Sequence, residues 1–166
     1  MNTQVAIITA IIFISIFLPI FLMIKSGNTD FNKTIKLFNS VAIKNNLKLN
    51  QKEFWGNTFI GIDESQQILL YKKGFGSDDF NIVNLSGINQ CEILKNVSQK
   101  RIDKVVVNIL DTIDLRLTST TNKSSYLFNF YNIDNDYRED FEYKRAEKWA
   151  QIINNNLASV AKKKAA

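Results

Sequence analysis

The chain of 166 residues has no histidine, a single cysteine (Cys91) and a single proline (Pro19). Without histidine the familiar nucleophile–base pairs cannot be assembled, and zinc sites built on Cys and His fall with them. A lone cysteine excludes an internal disulfide; in the alternating stretch Ile88–Leu94 it is expected as a small buried apolar side chain. No basic stripe of the kind nucleic-acid binders carry lies between residues 30 and 160, and the net charge of +5 owes part of its excess to Lys162, Lys163 and Lys164 in the terminal AKKKAA. That tail, 161–166, is expected to be frayed and solvated. Gly74-x-Gly76 lacks the third glycine and following helix of a phosphate-cradling loop. The close acid pairs are Asp78 and Asp79, Asp111 and Asp114, Asp134 and Asp136. Paired acids can serve hydrolysis or hold a divalent cation, but Asn132–Asp136 has neither the following Gly nor the distant Glu of a calcium loop. The residues therefore predict no enzyme, no catalytic or metal-binding group and no cofactor.

What is present begins with an uncharged apolar run, Val5–Ile24, ended by Lys25. Twenty helical residues at about 1.5 Å each span roughly 30 Å, the thickness of a bilayer's hydrocarbon core. The leader MNTQ has no Lys or Arg, the exit FLMIKSGN has no A-x-A pattern, and no Cys follows the run. A cleaved secretory or lipoprotein signal is thus not expected, and residues 1–25 read as a retained transmembrane anchor carried by Val5, Ile11, Phe17, Pro19, Ile24 and Lys25. Pro19 removes a backbone hydrogen bond, which lipid-embedded helices tolerate with a kink. Positive charge follows the run at Lys25, Lys33, Lys36 and Lys44, so the positive-inside rule expects a single-pass protein of the inner membrane with its carboxyl-terminal domain in the cytoplasm.

Ser26-Gly27-Asn28 is expected to break the chain, with Thr29 or Asp30 capping a second helix over 26–47. Phe31, Ile35, Phe38 and Ala42 recur on one face with Val41 beside them, and Asn32, Lys33, Lys36, Asn39 and Asn46 take the other. Such a helix either lies in the lipid interface or packs on its own domain; the Asn-rich polar face favours packing. From residue 48 the period changes. Thr58–Ile62 and Gln67–Tyr71 predict a hairpin turning at Asp63–Gln66, and 72–79 reads as a loop. Further strands are expected over Phe80–Leu85, Gln90–Lys95, Lys104–Asn108 with Ile113–Thr118 (one long strand bent at Asp111), and Ser125–Tyr131. Short turns without intervening helices imply a mostly antiparallel sheet. Asp140–Ala158 then places Ala146, Trp149, Ala150, Ile153 and Leu157 on one helical face, with Trp149 as a core plug.

The segments FIGIDESQQILLYK, KVVVNILDTIDLRLTS, YLFNFYNID and AEKWAQIINNNL, in this order, resemble a pleckstrin-homology-like (PH-like) domain of the kind found in small bacterial proteins with an amino-terminal anchor. The resemblance covers roughly residues 50–160. It implies an α+β fold: a transmembrane and a linker helix, then an antiparallel β-barrel or sandwich of about 6–7 strands over 48–160, sealed by a C-terminal helix. It also implies a non-enzymatic module that recruits a protein or peptide partner at the inner membrane face. An anionic-lipid surface binder and a structural subunit of a membrane complex are the alternatives. Phosphoinositide-binding members carry cations in the first hairpin loop, whereas the loop matched to it here, Asp63–Gln66, is acidic. Lys72, Lys73 and Phe75 are the candidate lipid or partner contacts, although Phe75 is expected to fold back onto the core.

Overall fold

A computed structural model describes residues 3–76, 79–102, 104–119 and 124–165, the side chains of 3–6, 8, 10, 24–28, 102 and 160–165 lying outside the described set. Its elements are helix α1 (Thr3–Lys44), strands β1 (Gln51–Trp55), β2 (Thr58–Asp63), β3 (Ile68–Lys73), β4 (Asn81–Asn84), β5 (Gln90–Ile102), β6 (Val105–Thr118) and β7 (Ser125–Asn132), and helix α2 (Glu142–Ala165). A 3-10 turn, Leu85–Gly87, links β4 to β5. The fold is α+β, with an antiparallel four-stranded sheet β1-β2-β3-β4 and an antiparallel three-stranded sheet β5-β6-β7.

The expected barrel is not closed: among the described residues no ladder joins β4 to β5 or β7 to β1. Side chains bridge the gaps instead. Tyr71 on β3 donates its hydroxyl to the carbonyl of Asn129 on β7 at 2.5 Å. From α2, Lys148 and Trp149 both donate to the Glu53 carboxylate on β1, at 2.9 and 3.0 Å. Trp149 is 1 % exposed, so the expected plug is in place and its indole N–H is satisfied. Ile60, Ile62, Leu69, Val83, Leu115, Phe128, Phe130 and Ile153 share this inter-sheet core with it.

The break expected at Ser26–Asn28 is absent, because α1 is one helix from Thr3 to Lys44 with Pro19 inside it. A single glycine costs a helix only about 1 kcal/mol, which long helical flanks outweigh. The helix stops in a Schellman motif. Leu47 N–H bonds to Ala42 O at 2.8 Å and Asn46 N–H to Ile43 O at 2.9 Å, with Asn46 in the left-handed region at φ 54°.

The amphipathic half of α1 packs on its own domain. Phe38 and Ala42 form a second core with Phe59 and Leu70, flanked by Phe31, Ile35, Leu49 and Phe54. The inner sheet face meets the first core and the outer face meets α1, so β2 is buried along its whole length. Gly61 makes this approach possible, since a Cβ there would meet Leu49 Cδ1 at 3.0 Å and Phe38 Cζ at 3.2 Å.

The other half of α1 joins neither core among the described residues. Every side chain from Ile11 to Met23 is exposed, on all sides of the helix, with Ile11 at 61 % and Phe17 at 57 %. Among the described residues no helix is long and apolar enough to cross a membrane. The expected anchor runs to Val5, Ile24 and Lys25, whose side chains lie outside the described set.

Three further boundaries differ from expectation. β1 is a strand the sequence did not reveal. Lys72 and Lys73 belong to β3 and not to a loop. Helix α2 starts at Glu142 and continues to Ala165, so most of the tail expected to fray is helical backbone. The long strand expected around Asp111 is present as β6. Its bend is a bulge, where Asn96 pairs with Thr112 and Val97 with Leu110, leaving Asp111 as the extra residue.

Candidate functional site

The packing direction of α1 gives the domain a proximal and a distal end. At the distal end Asn46 accepts from Gln66 Nε2 at 2.6 Å, and Lys48 N–H meets the Asp63 carboxylate at 2.6 Å, beside the β2–β3 turn. Toward the amino terminus α1 passes Phe59, with Phe31 at 5.7 Å between ring centres. The proximal end therefore holds the β1–β2 turn and the β3–β4 loop, joined by Gly74 N–H to Asn57 O at 2.8 Å.

The three candidate contacts lie at or near this end, and two of them face inward. Lys72 is 1 % exposed, with its ammonium 5.1 Å from the centre of the Phe80 ring. Lys73 Nζ sits 2.7 Å from both Asp136 Oδ2 and Asn129 Oδ1, an ion pair that clamps β3 to the segment after β7. Neither ammonium is presented to a lipid or partner surface, which corrects the expectation for both. The Phe75 ring packs T-shaped on the Phe59 ring at 6.2 Å between centres, yet 45 % of the residue stays exposed.

Two recesses open nearby. One, of about 230 Å³, is lined by Trp55, Asn57, Phe130, Asp136, Tyr137 and Arg138. Tyr137 is fully exposed, and the indole N–H of Trp55, buried there, meets no acceptor among the described residues. The other, of about 460 Å³, lies where α2 begins against β5 and β6, and is lined by Lys95, Leu110, Glu139, Phe141, Tyr143 and Lys144. Phe141 holds φ 67°, a conformation that costs a bulky L-residue roughly 1–2 kcal/mol, and it is 57 % exposed. Lys144 stands over its ring at 5.3 Å and Lys95 over the Tyr143 ring at 5.2 Å. Two aromatics, two cations and two acids, Glu139 and Asp140, share this concavity.

The acid pairs are dispersed into structure. Asp114 is buried, taking hydrogen bonds from Asn129 at 2.7 Å and Thr112 at 2.9 Å. Asp111 accepts from Ser98 at 2.9 Å, Asp136 holds Lys73, and Asp78 lies outside the described residues. Among the described residues no cluster of three or more metal-ligating side chains forms. Cys91 is 4 % exposed, and burial pushes its thiol up to about 12, which leaves it inert as a nucleophile.

Asp63 is the one acid of the expected loop with a large role, and that role is structural. Burial pushes its carboxyl up, but hydrogen bonds from the Ser65 side chain and the backbone of Gln66, Lys48 and Ser65 outweigh this and hold it below the usual range. The β2–β3 turn is also not the first hairpin loop, because β1 precedes it. The first is Gly56-Asn57, a two-residue turn with no charge. Sequence reasoning missed Phe141 and Tyr143; an aromatic pair flanking the acidic helix start, Glu142, was the available signal.

No family model, no curated protein and no solved structure matches this chain.

Proposed function

We propose that this chain is a single-pass membrane protein in which Val5–Ile24 crosses the inner membrane and the β-module stands in the cytoplasm as a non-enzymatic, PH-like binding module for a protein or peptide partner. One observation carries the reading: α1 is a single helix whose Ile11–Met23 half is apolar and exposed all round while its Phe31–Ala42 half is built into the core. A helix that is hydrophobic all round belongs in protein or in lipid, and none of the described residues covers this one. Lys25, Lys33, Lys36 and Lys44 on the domain side set the orientation. Seven strands in a four-plus-three arrangement followed by one helix are in the order the PH-like resemblance requires. The uncharged first turn, Gly56-Asn57, speaks against phosphoinositide recognition, and the Phe141–Tyr143 recess is the peptide-sized concavity.

Alkaline carbonate extraction and flotation of the full chain test the anchor, with protease protection of intact spheroplasts testing the side. The protein is expected in the membrane fraction and its domain shielded from external protease. Release by carbonate overturns the anchor, and digestion from outside overturns the orientation. For the partner, a photo-crosslinker at Phe141 in cells is expected to give discrete adducts that a crosslinker at Ser65 does not. Identical patterns at both positions overturn the recess as the binding site.

A further inference from the structure

The strongest unexplained surface is the far half of the β5–β6 hairpin. β7 pairs with β6 only over Thr112–Thr118, so Val97–Ile102 and Val105–Leu110 continue as a two-stranded ribbon with no third strand. At roughly 3.3 Å per residue it overhangs the three-stranded sheet by about 20 Å. Its side chains are not those of a solvated arm, since Val97, Val105, Val106 and Val107 are 47 %, 61 %, 59 % and 40 % exposed. Near the tip Lys100, Arg101 and Lys104 are exposed, and none of the described ion pairs engages them; Asp103 is the one acid among them in sequence. A bare apolar edge is a liability that folded proteins cover.

The direction of the ribbon follows from contacts along β5. Cys91 exchanges hydrogen bonds with Asn154, two residues before Asn156, which reaches Glu64 at the distal turn. Lys95 has advanced to Tyr143 at the start of α2. β6 meets Asn132 at Thr112, beside Asp136 and Lys73 at the proximal end. Val97–Ile102 and Val105–Leu110 therefore continue past the proximal end, the end from which the apolar half of α1 also leaves. Phe75 and Tyr137 are exposed there as well.

We infer that this end of the domain rests on the membrane, with Val105–Val107 and Phe75 in the interfacial layer and Lys100, Arg101 and Lys104 against anionic headgroups. The inference depends on the anchor proposed above. Apolar side chains flanked by cations are what an anionic leaflet selects, and aromatic residues belong at the headgroup level. The ribbon lies in the interface and does not cross the hydrocarbon core, because its open edges carry backbone groups that need water or headgroups as partners.

The test uses the full chain reconstituted into phosphatidylcholine vesicles with and without phosphatidylglycerol. A nitroxide is attached at Val106→Cys, Phe75→Cys or, as the distal control, Ser65→Cys; Cys91 is buried and stays unlabelled. Power-saturation spectroscopy compares collisions with oxygen, which partitions into lipid, and with a water-soluble nickel complex. In phosphatidylglycerol vesicles the labels at 106 and 75 are expected to lose nickel accessibility and gain oxygen accessibility, while Ser65→Cys stays aqueous. Reversing the tip charges (Lys100→Glu, Arg101→Glu, Lys104→Glu) is expected to return the label at 106 to water. If the protein withstands carbonate and floats but all three labels are equally aqueous, the membrane seat is overturned and the anchor stands. If it does not float, both fall. Spin–spin broadening at 106 that persists in detergent overturns the seat in favour of ribbon pairing between copies.

Discussion

The two halves of α1 differ in apolar content and in fate: eleven of the thirteen residues of Ile11–Met23 are apolar, against six of the twelve of Phe31–Ala42. Phe31, Ile35, Phe38 and Ala42 form a stripe with polar residues behind it, and the outer face of the four-stranded sheet covers that stripe. Ile11–Met23 has no stripe, because apolar residues surround the axis, and none of the described residues covers them. A half-apolar helix presents one stripe that a sheet can cover, whereas a nearly wholly apolar one leaves no polar face to turn to water. The comparison also shows why no hinge is needed between the halves: one backbone ladder runs through both, and only the side chains change partner.

Breaking the packed half should have the largest effect. Phe38→Ala removes a fully buried ring that meets Phe54 at 5.3 Å and Phe80 at 6.2 Å, and is expected to cost about 3–5 kcal/mol, read as a lower urea midpoint of the full chain in detergent. The free half should behave in the opposite way. Ile16→Arg is expected to leave that midpoint unchanged while costing about 3 kcal/mol of insertion, read as a shift into the carbonate-soluble fraction. Equal loss of stability in both variants would dissolve the distinction between the halves.

The distal end, where the packed half terminates, sharpens the comparison further. Asp63→Asn replaces a charged acceptor by a neutral one under five backbone and side-chain donors, and is expected to cost about 2 kcal/mol. The folded carboxyl lies below its ordinary 3.8, so its contribution is fully present above that value and is lost as pH falls through the folded value. Stability of the parent should therefore drop in acid more steeply than that of Asp63→Asn; parallel curves would remove Asp63 from the account. Smallest of all, Asn46→Ala at the left-handed cap should cost about 1 kcal/mol and Asn46→Gly close to none, measured by the same midpoint.

Local chemistry was readable where it decided the structure. β2, β3 and β7 followed from short β-branched and aromatic runs, and the stripe on α1 from its spacing. β1 was hidden because Gln51, Lys52 and Glu53 look like a polar connector, and only Phe54 and Trp55 point to burial. Ser26–Asn28 has the composition of a break, yet Ser, Gly and Asn lower helix stability without stopping a helix that has long flanks. Lys73 looks like the start of a loop because its partner is remote; Asp136 is 63 positions away. The same remoteness hid the recess beside Phe141, which exists only once β5, β6 and α2 are brought together.

The unbroken passage of α1 through residues 24–30 acts as a gear tooth between its two halves. Each residue of a helix turns the chain by about 100° and advances it by about 1.5 Å. Adding one residue to this stretch would therefore swing a different flank of the β-module round the helix axis, with hardly any change in its height. Adding seven would bring the original flank back to within about 20°. The length of an otherwise featureless stretch of helix thus sets the compass bearing of everything downstream.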